Sequence, residues 1–98
     1  MTTQKIISEI VEYVKNCGGN YSDWYAGIAS TPRNRLFDDH KVDEKNGNCI
    51  YQDAGSSDIA RKIENYLINE LGMDGDTGGG DDSTKYIYAY KKTLNTVE

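Results

Sequence analysis

Apolar residues recur at helical spacing in two stretches of this chain. A stripe of isoleucines and valines over residues 3–17 stops at a glycine pair, which predicts an amphipathic helix that ends there. Cys17 lies on this stripe and is expected in the core. A second stripe over residues 58–71 predicts another helix, which small polar residues cap and Gly72 ends.

Shorter apolar stretches predict strands. Residues 24–29 and 49–52 are short apolar runs bounded by polar or turn residues, and residues 85–92 alternate tyrosines with small or aliphatic residues. Pro32 follows the first of these strands and predicts the start of a helix over residues 31 to about 40. Strands and helices therefore mix along one short chain.

The 98 residues are enough for a single hydrophobic core. We interpret the chain as one domain with five parts: an N-terminal helix (1–19), a motif-bearing core (20–72), a mobile loop rich in glycine and aspartate (73–84), a C-terminal strand (85–93) and a tail (94–98).

Composition narrows the function and the cellular location. A net charge of -5 argues against a protein that coats nucleic acid or an anionic membrane by bulk charge. Two cysteines and one histidine are too few for a disulfide framework or a Cys/His zinc site. Neither a signal peptide nor a membrane-spanning segment is evident. We expect a soluble, cytoplasmic protein with reduced thiols and no membrane partner; the oligomeric state stays open.

Two places in the chain favour a chemical site. Tyr25 and Gly27 lie on the first strand, and Arg35 follows on the next helix, so a phenol and a guanidinium could meet at this corner. A glycine within a strand often marks the close approach of a ligand or another backbone. Glu64 falls inside the apolar arc of the later helix, where a carboxylate must be paired, protonated or bound to a cation.

Two further residues are accessory candidates with simpler interpretations beside them. His40 ends the helix after Pro32, where the helix dipole favours a solvated imidazole, and we favour that interpretation over a catalytic one. Tyr88 shares one strand face with Tyr86 and Tyr90. That face could stack nucleic-acid bases, with lysines on the phosphates, but we favour ordinary strand packing.

Together, the Tyr25-Ala26-Gly27 tripeptide, Arg35-Leu36 and Glu64 resemble the motifs of the GIY-YIG endonuclease family, over about residues 24–72. The resemblance implies an α+β fold: a small three-stranded, mainly antiparallel sheet flanked by about three helices. It also implies hydrolysis of DNA phosphodiester bonds with one Mg²⁺ or Mn²⁺ ion.

The resemblance assigns roles residue by residue. Tyr25 resembles the phenol that handles the proton of the attacking water, Arg35 the group that binds the scissile phosphate, and Glu64 the metal ligand. The chain departs from the family because no GIY tripeptide precedes residue 24, and because His40 comes one place later than the family's tyrosine or histidine after the arginine. We expect the C-terminal strand, with Tyr86-Ile87-Tyr88, to replace the missing first strand.

Two functions follow from this resemblance. One is a DNA endonuclease or nuclease-like module, which could gain its DNA affinity from a partner protein. The other is a non-catalytic binding or regulatory domain that keeps the fold and pairs Arg35 with Glu64 internally.

Overall fold

Helices and strands follow one another largely as the hydrophobic pattern predicts. The computed structural model describes residues 3–45, 47–75 and 84–97. In chain order its elements are helix α1 (Thr3–Cys17), a 3-10 turn (Tyr21–Asp23), strand β1 (Trp24–Ala29), helix α2 (Pro32–Asn34) continued by a π-helical turn (Arg35–Asp39), strand β2 (Cys49–Asp53), helix α3 (Ser57–Asn65) continued by a second π-helical turn (Tyr66–Glu70), strand β3 (Asp74–Gly75) and strand β4 (Tyr86–Lys91). Over these residues the fold is α+β.

The ends of the two long helices have local causes in the sequence. The Ser56 hydroxyl caps α3 by accepting a hydrogen bond from the Ile59 N–H at 3.2 Å. After this helix Gly72 adopts a φ of +89°, which glycine tolerates without a steric penalty. The predicted extents of both helices are thus confirmed to within about one residue at each end. None of the described helices combines the length and hydrophobicity needed to cross a lipid bilayer.

Strand β4 holds the sheet together. The strand order is β2-β4-β1-β3, and β4 pairs antiparallel with both of its neighbours. Its ladder with β1 runs from the Trp24–Lys91 pair to the Ala29–Tyr86 pair. The C-terminal strand therefore lies beside residues 24–29, as predicted.

The two faces of the sheet bury different side chains. One face packs against α1 and α3 through the aliphatic residues of β1 and β4 and through Trp24. The other face carries Tyr88 and Tyr90 under Leu36 and Val42. Tyr88 and Tyr90 are only 1% and 0% exposed. They pack in the interior, so the interpretation of these two tyrosines as a base-stacking platform is wrong.

The sheet also differs from the prediction in number and direction of strands. It has four strands and is mixed, because Asp74 and Gly75 pair in parallel with Tyr25 and Ala26 of β1. The sequence pattern predicts a mobile loop over 73–84 that includes these two residues. An Asp-Gly pair is a turn signal, and two residues are too few to show alternation. Residues 76–83 of this loop lie outside the described residues.

Candidate active site

Separate parts of the chain surround one cavity of about 250 Å³ at the junction of β1, α2, α3 and β4. Its walls include Tyr25, Gly27, Arg35, Glu64, Thr84 and Tyr88. The three side chains predicted to carry chemistry, Tyr25, Arg35 and Glu64, therefore line the same opening. Accessory candidates Gly27 and Tyr88 lie there too, whereas His40 lies behind Tyr88.

Gly27 makes room for the Tyr88 ring. The two residues are directly paired across β1 and β4. A Cβ atom built on Gly27 would come within 2.5 Å of the Tyr88 Cζ atom and closer still to its hydroxyl. The predicted close approach at this glycine is real. The group that approaches is the neighbouring tyrosine side chain, which crosses the strand to reach the cavity.

His40 reaches this region because the helix after Pro32 widens. The turn Arg35–Asp39 is π-helical, and the His40 N–H donates to the Arg35 carbonyl, five residues back, at 2.8 Å. One extra residue per turn turns His40 back toward the side of the helix that carries Arg35. His40 is only 4% exposed, so its interpretation as a solvated helix end is wrong.

Both ring nitrogens of His40 have close partners. Nε2 lies 2.7 Å from the Tyr88 hydroxyl, and Nδ1 lies 2.7 Å from the Val97 carbonyl oxygen. The Tyr90 hydroxyl is 3.1 Å from Nδ1 and donates to the same carbonyl at 3.3 Å. The Tyr25 ring stacks on Tyr90, with centroids 5.3 Å apart. Tyr88, which lines the cavity, therefore contacts a buried imidazole whose two ring nitrogens both have partners.

Arg35 and Tyr88 change each other's ionisation. A hydrogen bond to Tyr88 is the main cause that raises the pKa of Arg35. Burial raises the pKa of Tyr88 to about 12, although the Arg35 guanidinium opposes that rise. Tyr88 therefore keeps its proton at neutral pH, and ionisation there requires a proton acceptor. Arg35 also forms a half-exposed ion pair with Asp39 at 3.6 Å.

Glu64 lies buried at the cavity, with 2% of its surface exposed. Its position within the apolar arc is confirmed, and Glu70 in the same helix region is exposed. Over residues 3–45, 47–75 and 84–97, no three His, Cys, Asp or Glu side chains come together as a metal cluster. A single carboxylate at a polar cavity suits Mg²⁺, which keeps several waters and often uses one or two carboxylates.

Some residues of the site were not predicted. Thr84 lines the cavity and is 6% exposed, but it precedes β4 in a polar stretch that has no motif. Val97 was assigned to the tail, and its contact with His40 uses only main-chain atoms. A contact made by main-chain atoms does not depend on the residue type. The sequence therefore could not have shown that Val97 belongs to the site.

Comparisons of the chain with protein-family models, with curated proteins and with solved structures each found no match.

Proposed function

We propose that this protein is a metal-dependent DNA endonuclease, or a nuclease-like module, of the GIY-YIG type. The main support is the cavity at which Tyr25, Arg35, Glu64 and Tyr88 converge from four separate elements. A guanidinium can bind a phosphate group, a buried carboxylate can hold one cation, and phenols can transfer protons, so together these groups suit phosphodiester hydrolysis.

In this proposal β4 takes the place of the family's first strand. It pairs antiparallel with β1 along its whole length and presents Tyr88 opposite Gly27. Tyr88 would then supply the tyrosine that the family carries on a strand before residue 24. The strand comes from the other end of the chain, but its place in the sheet and its tyrosine serve the same purpose.

Each side chain has a task that its surroundings suit. Arg35, half-exposed at the cavity, binds the scissile phosphate through two parallel N–H donors. Its surface pair with Asp39 stabilises the protein by only about 0.3–0.5 kcal/mol, so phosphate can replace the aspartate easily. Glu64 would hold the cation, and a bound Mg²⁺ or Mn²⁺ would withdraw electrons from the phosphate and lower the pKa of its bound water.

The two phenols, Tyr88 and Tyr25, have different roles in proton transfer. Tyr88 donates its proton to the His40 Nε2 atom, 2.7 Å away, and the resulting phenolate accepts a proton from the attacking water. The neighbouring Arg35 cation stabilises the phenolate. The family resemblance gives this role to Tyr25, which lines the same cavity and in this proposal orients the attacking water there.

The alternative function is a non-catalytic binding or regulatory domain with the same fold. The net charge of -5 favours it, because an acidic surface repels DNA unless a partner protein supplies positive charge. Under this alternative the polar groups of the cavity are structural, and no cation binds there.

Metal-dependent nicking of supercoiled DNA tests the proposal. Wild-type protein with Mg²⁺ or Mn²⁺ should nick the plasmid, and Glu64→Gln should reduce the rate to background while leaving the circular dichroism spectrum unchanged. Glu70→Gln is the matched control, since Glu70 is exposed in the same helical region, and it should retain full activity.

An NMR titration separates the two functions. Mg²⁺ or Mn²⁺ should perturb the resonances of Glu64 and its neighbours in wild-type protein but not in Glu64→Gln. A flat titration together with no nicking by wild-type protein would overturn the nuclease proposal and favour the binding domain.

A further inference from the structure

Both main-chain polar groups of Val97, the N–H and the carbonyl, contact His40. The Val97 N–H donates to the His40 carbonyl at 2.7 Å, and the Val97 carbonyl lies 2.7 Å from the His40 Nδ1 atom. The Val97 side chain is 51% exposed and contributes little to this contact. A turn closed by hydrogen bonds between Thr93 and Thr96 leads the chain into this position. We call residues 93–97 the C-terminal segment.

This contact determines which nitrogen of His40 carries the proton. A carbonyl oxygen can only accept a hydrogen bond, so the Nδ1 atom facing Val97 must be protonated. In a neutral imidazole the other nitrogen, Nε2, is then an acceptor. Nε2 faces the Tyr88 hydroxyl, which can donate to it. Tyr88 can therefore transfer its proton to the His40 Nε2 atom.

We propose that the C-terminal segment is a positioning element of the site, in which the Val97 carbonyl selects the Nδ1–H tautomer of His40. The catalytic consequence rests on the proposed nuclease function, whereas the choice of tautomer is a property of the folded protein alone. When Tyr88 gives its proton to Nε2, the imidazole becomes a cation with two N–H groups. One points at the Val97 carbonyl and the other at the new phenolate, so both have acceptors.

The Tyr90 hydroxyl is the competing explanation within the same cluster. It lies 3.1 Å from Nδ1 and could accept the Nδ1 proton if the Val97 carbonyl were absent. The Tyr90 hydroxyl, however, also donates to the Val97 carbonyl at 3.3 Å, so this carbonyl contacts both groups. Removing the C-terminal segment while keeping Tyr90 therefore distinguishes selection by Val97 from selection by Tyr90.

The test reads the His40 tautomer by ¹⁵N NMR in the wild-type protein and three variants. Wild-type protein and Val97→Ala, which keeps both main-chain hydrogen bonds, should show pure Nδ1–H. A chain shortened to end at Thr93 should lose this preference. Its cleavage rate should fall by roughly 10–100-fold, as when the partner that orients a catalytic histidine is removed. If the shortened chain keeps pure Nδ1–H, Tyr90 suffices and the proposal is overturned.

Val97→Pro covers the case in which the shortened chain does not fold. Proline lacks the N–H that anchors this segment to the His40 carbonyl but keeps the carbonyl itself. It should shift the ¹⁵N resonances of His40 toward a tautomer mixture, and spectra identical to those of wild-type protein would overturn the proposal. A lack of DNA cleavage by wild-type protein would instead refute the nuclease function, because the spectra alone decide the tautomer.

Discussion

Adding one methyl group at Gly27 should destabilise the protein and disorganise the site together. The new Cβ atom of Gly27→Ala would lie 2.5 Å from the Tyr88 Cζ atom, and ordinary contact begins near 3.4 Å. The ring must therefore retreat by about 1 Å. Tyr88 is 1% exposed, so such a movement pushes it into packed neighbours.

The size of the effect follows from three contributions. Overpacking a close-fitting core costs about 1–3 kcal/mol. Moving the ring lengthens the 2.7 Å contact between the Tyr88 hydroxyl and His40 beyond hydrogen-bonding range, which costs about 0.5–1.5 kcal/mol more. Alanine is less flexible than glycine in the unfolded chain, which offsets the loss in the free energy of unfolding by about 0.5–1 kcal/mol. We expect a net loss of about 1–3 kcal/mol in the free energy of unfolding.

Urea and thermal unfolding followed by circular dichroism measure this loss, which should lower the melting temperature by about 5–20 °C. A double-mutant cycle with Tyr88→Leu supplies the control, because the shorter side chain leaves room for the new methyl group. Gly27→Ala should then cost much less in the Tyr88→Leu background than in wild-type protein. Equal costs in the two backgrounds would refute the steric explanation.

Two further predictions concern the ionisable groups of the site. The folded protein keeps the Tyr88 proton up to about pH 12, whereas the unfolded chain releases it near the ordinary value of 10.0, so the free energy of unfolding should fall as pH rises through this range. In Tyr88→Phe, urea unfolding should show a smaller fall of the free energy of unfolding with pH. Part of the fall should remain, because burial also raises the pKa of Tyr13 to about 12. If the wild-type protein and Tyr88→Phe show identical slopes, the raised pKa of Tyr88 is contradicted. Asp39→Asn removes only the exposed partner of Arg35 and should change the free energy of unfolding by less than about 0.5 kcal/mol. If Arg35 binds phosphate, the same variant should bind DNA at least as tightly as wild-type protein by fluorescence anisotropy, and weaker binding would argue against that role.

The hydrophobic pattern predicted those elements that bury a regular stripe. Helix α1 has the predicted ends because Ile6, Ile10 and Val14 recur every four residues and a glycine follows the last turn. Strand β4 was evident because its tyrosines alternate with Ile87 and Ala89, and both sets are largely buried. Strand β3 was missed because a two-residue parallel strand shows no period.

The candidate site was predictable in its residues but not in its connections. Glu64 stood out because a carboxylate in an apolar arc is unusual, and it does line the cavity. His40 was misjudged because a helical wheel assumes 3.6 residues per turn, whereas the π-helical turn inserts one residue and brings the imidazole inside. The role of Val97 depends on main-chain atoms, which every residue type except proline would supply equally.

The central position of β4 has a consequence for how the chain folds. The residues of β1 and β2 leave the ribosome long before those of β4, yet each of these strands finds its antiparallel partner only in β4. Pairings between distant parts of a chain form slowly, because a long loop must close before they stabilise anything. Helices α1 and α3 can form early, but the sheet and the cavity can be completed only after β4 arrives. We therefore expect nascent chains halted before Tyr86 to remain open to proteases and chaperones.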